Sequence, residues 1–206
     1  MYIDIHTHRT TLGEAVTSIV NNAATASFAS VGIHPWDITP QWPTELERVA
    51  IAAKEERVVA IGECGIDKIK SPASIELQTE VLKAHIELSE KIEKPLILHC
   101  VRGAEEIISL HKKNRPRQAW IIHGFRGRPE LAKQLLREGF FLSFGEKFNN
   151  DSLAATPLNQ LFAESDTSEK HIKDIYASIA KVKNISTEEL ATIIKENAGF
   201  CGFSTP

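Results

Sequence analysis

The 206-residue chain contains no apolar run that approaches the 18 or more residues a membrane-spanning helix requires. Its N-terminus also lacks the charged and apolar regions of a secretory signal, so the sequence predicts a cytoplasmic protein with no membrane partner. Cysteine is scarce. Cys64, Cys100 and Cys201 form neither a disulfide framework nor a Cys-x-x-Cys motif, which excludes a disulfide scaffold and reads as three reduced packing residues. Neither sign of charge dominates, with 24 Lys and Arg against 27 Asp and Glu for a net charge of −3. That balance excludes a broad basic surface, so any nucleic-acid substrate would have to be held by a local cluster and by metal ions. Repeats and disordered stretches are missing too, and nothing calls for an obligate protein partner. With 42% hydrophobic residues, the chain is long enough for one sizeable core, which predicts a single domain over residues 1–206.

What the chain does have is a series of short apolar runs. After Tyr2 to His6 they fall at Ala15 to Val20, Phe28 to Ile33, Val58 to Gly62, Leu96 to Leu98, Trp120 to Ile122, Phe140 to Phe144 and Leu161 to Ala163. Near-continuous apolar character in runs this short fits strands buried on both faces. Amphipathic stretches lie between them. A capping box, Thr44-Glu45-Leu46-Glu47, opens one, and Leu77, Val81, Ala84, Leu88 and Ile92 mark a second that ends before Pro95. Others are predicted at Ala104 to Lys112, Pro129 to Arg137, Ser168 to Lys183 and Thr187 to Ala198, the last behind the capping box Ser186-Thr187-Glu188-Glu189. Helices alternating with eight strands predict an α/β fold of the TIM-type (β/α)8 barrel. Between His8 and Phe28 there is room for a strand and hardly for a helix before it, so the first outer helix is expected to be missing.

Polar residues close these runs. Under this count His6 and His8 end strand one, His34 strand three, Glu63 strand four, His99 strand five, His123 strand six and Asp166 strand eight. His6 and His8, two apart on a strand, project to the same face, and two imidazoles on one face can chelate one ion. Active sites of such barrels gather where the strands end, so residues distant in sequence become neighbours there. Imidazole and carboxylate together suit zinc, manganese, iron and similar divalent ions, with magnesium fitting where oxygen dominates. Six donors exceed one tetrahedral site and suit a two-metal centre bridged by a carboxylate such as Glu63, with ions roughly 3.5 to 4 Å apart.

In this order, Asp4-Ile5-His6-Thr7-His8, Gly32-Ile33-His34-Pro35, Gly62-Glu63-Cys64-Gly65-Ile66-Asp67, Leu98-His99-Cys100, His123-Gly124-Phe125-Arg126-Gly127 and Glu164-Ser165-Asp166-Thr167 closely resemble the motifs of the TatD family of metal-dependent deoxyribonucleases. The resemblance spans nearly the whole chain, and Glu196-Asn197-Ala198 is similar to the family's closing helix. It implies two divalent ions (Mg²⁺, Mn²⁺ or Zn²⁺) held by His6, His8, Glu63, His99, His123 and Asp166, with Glu63 bridging. It further implies DNA as substrate and hydrolysis of phosphodiester bonds by a metal-activated water, with Asp166 accepting the proton and Glu63 and Asp166 as the catalytic carboxylates. His34 is implied as a phosphate contact. Lys70 matches a basic position after the Gly-x-Asp segment, and Arg102 stands one residue later than the family's usual arginine. Both are counted as substrate-binding. Trp36 could pack at the rim or stack on a base. Asp67 is expected to fix its loop and is not counted as a ligand.

The chain also departs from the family. It is shorter than the usual span of about 250 residues, the segment from Phe148 to Gln160 is brief, and Asp166-Thr167-Ser168 replaces the usual Asp-x-Pro. Gly124 stands where a cysteine is common. Two alternatives therefore accompany the nuclease reading. One is a metal-dependent hydrolase of a small phosphoester or amide, and the other is a metal-binding remnant without turnover.

Overall fold

The computed structural model describes residues 1–9, 16–22 and 26–203. Eight parallel strands follow one another around a single sheet in sequence order: β1 (Tyr2–Thr7), β2 (Val16–Asn21), β3 (Phe28–Val31), β4 (Val58–Asp67), β5 (Leu96–Val101), β6 (Trp120–Ile122), β7 (Phe141–Phe144) and β8 (Leu161–Ala163). The first and last strands meet through a bridge between Thr7 and Asp166, with the His8 amide donating to the Asp166 carbonyl at 3.1 Å and the Asp166 amide to the His6 carbonyl at 3.0 Å. Closure removes the sheet edges, as the eight-strand count predicted.

Among the described residues seven helices pack outside: α1 (Trp42–Ala52), α2 (Ile75–Ile92), α3 (Ala104–Asn114), α4 (Pro129–Arg137), α5 (Asn150–Ala155), α6 (Ile172–Lys183) and α7 (Thr187–Phe200). Among the described residues no helix precedes α1; residues 10–15, where the first outer helix was expected to be missing and which include Ala15, read as the start of the second strand, lie outside them. The strands are buried because they face the barrel interior on one side and the helices on the other, so Ile3, Ile19, Ile61, Leu96, Ile121, Leu142 and Phe162 are all fully inaccessible. Two long-range staples hold the ends of the chain to the barrel. The Tyr176 hydroxyl of α6 donates to the Ile3 carbonyl at 2.7 Å, and the Asn197 amide of α7 donates to the carbonyls of Leu158 and Leu161 at 2.7 and 2.9 Å.

Several boundaries differ from the pattern-based reading, each for a local reason. The box at Thr44 to Glu47 lies inside α1, which starts earlier with Pro43 in its first turn; Glu45 instead accepts from the Thr39 hydroxyl. Ser186 does cap α7, with its Oγ accepting from the Glu189 amide at 3.0 Å. Helix α6 starts at Ile172 rather than near Ser168, because His171 caps it by accepting the Lys173 amide while the Ser168 hydroxyl is bonded to Glu146. The brief 148–160 segment holds α5, capped by Asn149, and a 3₁₀ turn at Leu158–Gln160.

Strand β4 extends five residues beyond the predicted Gly62, so Glu63 lies within the strand and not at its end. Its pairing with β5 slips between Ile61 and Cys64. Glycines at 62 and 65, both at positive φ (133° and 144°), make this possible: a Cβ on Gly62 would lie 2.3 Å from the Ile97 carbonyl oxygen, and one on Gly65 only 2.0 Å from that of His99. The slip is what sets Glu63 at the mouth of the barrel.

Candidate metal centre

All six residues expected to bind metal converge at that mouth, and Glu63 is the hub. Its carboxylate is 2% exposed and its two oxygens face different sets of imidazoles. Oε1 lies 2.7 Å from His99 Nδ1, 2.7 Å from His123 Nε2 and 3.1 Å from His34 Nε2. Oε2 lies 3.2 Å from His6 Nε2 and 3.3 Å from His8 Nε2. Asp166 completes the rim, with Oδ1 3.7 Å from His8 Nε2.

The partners on the far side of each ring fix which nitrogen carries the proton. His123 Nδ1 is 3.2 Å from Glu164 Oε1, and His99 Nε2 is 3.1 Å from Asp67 Oδ2, so each ring donates backward to a carboxylate and turns its other nitrogen toward Glu63, where that nitrogen would carry either a proton or a metal ion. Carboxylate-backed imidazoles are the usual surroundings of metal-bound histidine. His34 is the opposite case. The Trp36 amide donates to its Nδ1 at 3.1 Å, which leaves the proton on Nε2 and makes the ring a donor into the site. His34 thus stands among the candidate ligands in space and differs from them in the nitrogen that carries its proton.

Charge follows the same plan. Burial works against ionisation of Glu63, yet the imidazoles of His123, His34 and His6 hold its carboxyl well below the usual carboxylate range. For His123 burial opposes the cation, and the carboxylates of Glu63 and Glu164 outweigh it and raise the ring well above its ordinary value. His6 is pushed down by burial and by His123 beside it. Asp67, despite desolvation, is held at about 2 by the Trp36 indole, the Lys70 and Ile69 amides and His99.

Does this arrangement fit a divalent ion? Four overlapping sets of donors lie within 4.8 Å of one another: His6, Glu63 and His123; His6, His8 and Asp166; His34, Glu63 and His99; and His123, Glu164 and Asp166. Both ring nitrogens of His6 are buried without a hydrogen-bond partner, although Nε2 faces Glu63 at 3.2 Å. Lone pairs turned at a carboxylate from 2.7 Å repel unless a proton or cation lies between them. Donors sharing one ion through bonds of about 2.1 Å sit roughly 3 to 3.4 Å apart, which is the spacing around Oε2. The residues fit.

The profile of the family described as TatD related DNase matches residues 3–200, almost the whole chain. The chain belongs to this TatD family. It is 27% identical over 192 residues to the uncharacterized metal-dependent hydrolase YabD of Bacillus subtilis (strain 168), an alignment covering 83% of this chain and 75% of YabD. A shorter stretch of 121 residues is 34% identical to the 3′-5′ ssDNA/RNA exonuclease TatD of Erwinia tasmaniensis, covering 56% of this chain and 45% of that protein. The fold superposes on the crystal structure of YjjV, a TatD homologue from Escherichia coli K12, with a TM-score of 0.80, at 20% identity and covering 100% of this chain and 98% of the other. This TatD-family chain is therefore a metal-dependent hydrolase by family, built on the family's barrel.

Two of the remaining expected residues lie beside the centre. Lys70 Nζ sits 4.7 Å from the centroid of the Trp36 ring, and Arg102, held at φ 55°, lines the cleft next to His99. Trp36 is a rim residue, 43% exposed, and its indole donates to Asp67 Oδ2 at 2.6 Å. Asp67 fixes its loop as expected, with Oδ1 accepting the Ile69 and Lys70 amides, and also orients His99. Sequence reasoning missed Glu164, which is fully buried behind His123, and Asn21, whose Oδ1 accepts the Glu63 amide at 2.9 Å. A carboxylate directly after the apolar run Leu161 to Ala163 was the available signal for Glu164. Asn21 gave none.

Proposed function

We propose that this TatD-family hydrolase is a divalent-metal-dependent phosphodiesterase acting on DNA, with two ions bridged by Glu63. The observation that carries the reading is the division of the Glu63 carboxylate between His6 and His8 on Oε2 and His99 and His123 on Oε1. Asp166 would share the first ion. Divalent cations bound there supply Lewis acidity, acidifying a water and neutralising charge on the phosphoryl oxygens. The protein's own groups do the rest. His34, fixed as an Nε2–H donor, holds a non-bridging phosphate oxygen. Asp166, partly open to the cleft and beside His8, takes the proton of the attacking water. The water oxygen bonds to phosphorus as the P–O ester bond breaks, and the leaving oxygen takes up a proton from solvent. Glu164 and Asp67 accept from the far nitrogens of His123 and His99 and so keep the two imidazoles aimed at the centre.

The test is metal analysis joined to a cleavage assay. Protein stripped by a chelator should leave single-stranded DNA intact and should regain cleavage when Mg²⁺ or Mn²⁺ is restored. A metal-loaded protein that cuts neither single-stranded nor duplex DNA across both ions would refute the DNA reading. The second reading, a small phosphoester or amide, is favoured by the net charge of −3, which gives no extended basic track. A panel of small esters and amides separates the two.

A further inference from the structure

The clefts on the two sides of the metal centre differ in charge. On the β1 to β3 side, a cleft of about 460 Å³ is lined beyond the centre by Asn21, Asn22, Asp37 and Thr167, with no lysine or arginine among its described residues. On the β5 and β6 side, a larger cleft of about 610 Å³ carries Lys70, Arg102 and Arg126 around a floor that includes Ile122, Phe125 and Leu131. Both open onto His99, His123 and Asp166.

The cations of the second cleft are free to act. Arg102 and Arg126 are exposed and have no ion pair or hydrogen bond to their guanidinium groups among the described residues, whereas Lys68, close by, is paired with Glu106 at 2.6 Å. Of the acids there, Asp67 is already taken by Trp36, His99 and two loop amides, and Asp166 belongs to the centre. Arg102 also occupies a left-handed backbone conformation, at φ 55°, which is unfavourable for a non-glycine residue. The next residue explains the turn: a Cβ on Gly103 would lie 2.5 Å from Ile66 Cγ2, so the chain packs hard on β4 at this point and turns. Unpaired guanidinium groups over an apolar floor suit a phosphate with a sugar and base attached.

We propose that the β5 and β6 cleft is a second phosphate subsite, which holds the phosphate one nucleoside away from the scissile one on Lys70, Arg102 and Arg126, so that the substrate strand runs from the centre into this cleft. The proposal rests on the phosphodiesterase reading and adds the direction of the strand and the residues that read it. A cleft of this volume takes a nucleotide-sized group.

The test uses the Mn²⁺-loaded protein and three probes: thymidine 3′,5′-bisphosphate, thymidine 3′-phosphate and thymidine 5′-phosphate, titrated calorimetrically. The bisphosphate should bind at least 10-fold more tightly than the better monophosphate. Arg102→Ala and Arg126→Ala should each shrink that ratio at least threefold, while Lys181→Ala, which removes the same charge on α6, should leave it unchanged. A ratio below threefold in the wild type, or one that Lys181→Ala lowers as much as the cleft variants do, overturns the subsite. DNA cleavage run alongside separates the two levels. Cleavage without the bisphosphate preference removes the subsite alone, and neither cleavage nor binding removes both.

Discussion

His85 lies outside the metal centre, yet it makes the protein sensitive to mild acid. The ring sits on α2, fully buried, between two backbone groups: Nδ1 is 2.8 Å from the Val81 carbonyl of its own helix, and Nε2 accepts the amide of Ile33 at 3.0 Å. Only the neutral Nδ1–H form satisfies both. Protonation would set a second donor against the Ile33 N–H at a fully buried position, and burial accordingly lowers the ring from 6.5 to about 4. Between those two values the unfolded chain binds a proton that the folded one refuses. Stability from this residue is therefore complete above pH 6.5, falls as the pH drops toward 4, and is flat below. At about 1.4 kcal/mol per unit, the 2.5-unit gap amounts to roughly 3 kcal/mol. The assay is urea unfolding in chelator at steps from pH 4 to pH 7.5, on the wild type and on His85→Leu, which cannot titrate. Near pH 7.5 the variant should be less stable by about 1 to 3 kcal/mol, because the Ile33 amide loses its acceptor. The difference should shrink by about 3 kcal/mol toward pH 4 and vanish or reverse. Since other groups titrate alike in both proteins, a difference constant to about 0.5 kcal/mol across the range would refute the reasoning.

Two further outcomes follow from the geometry. Glu164→Gln keeps the shape behind His123 but removes the carboxylate that accepts its Nδ1 proton, aims the ring and makes it a stronger metal donor, so metal affinity should fall roughly 10- to 100-fold with the near-UV circular dichroism unchanged. Full metal content under limiting Mn²⁺ would argue against that role. Asn197→Ala leaves the carbonyls of Leu158 and Leu161 without their buried donor and should cost about 1 to 3 kcal/mol in urea unfolding. A loss below 0.5 kcal/mol would show that α7 holds β8 by apolar packing alone.

The barrel was legible because each strand is a short apolar run and each helix carries its own period, as Leu77 to Ile92 does. The cluster of candidate metal donors was legible because each stands beside such a run, where parallel strands deliver residues to one face. What stayed hidden depends on distances that no pattern encodes. The extent of β4 is one case. Gly62 and Gly65 look like a stop, but they are the residues that let the strand slip against β5 and continue to Asp67. Asn21 is another, since a polar residue closing a strand looks the same whether it faces water or accepts the Glu63 amide. Arg102 is the third. Its place one residue late left its direction open, and only the left-handed turn before Gly103 brings it to the cleft.

His34 shows how far local chemistry can decide a role that proximity leaves open. Its Nε2 is as near to Glu63 as that of His6, so distance alone would count it a ligand. A metal-bound Nε2 has no proton, and in a neutral ring the proton must then sit on Nδ1. The Trp36 amide already donates to Nδ1, and two donors cannot share that position. The ring is left with Nε2–H and can only donate. Two residues downstream in the same tight turn, one backbone N–H thus separates a group that would hold phosphate from groups that would hold metal.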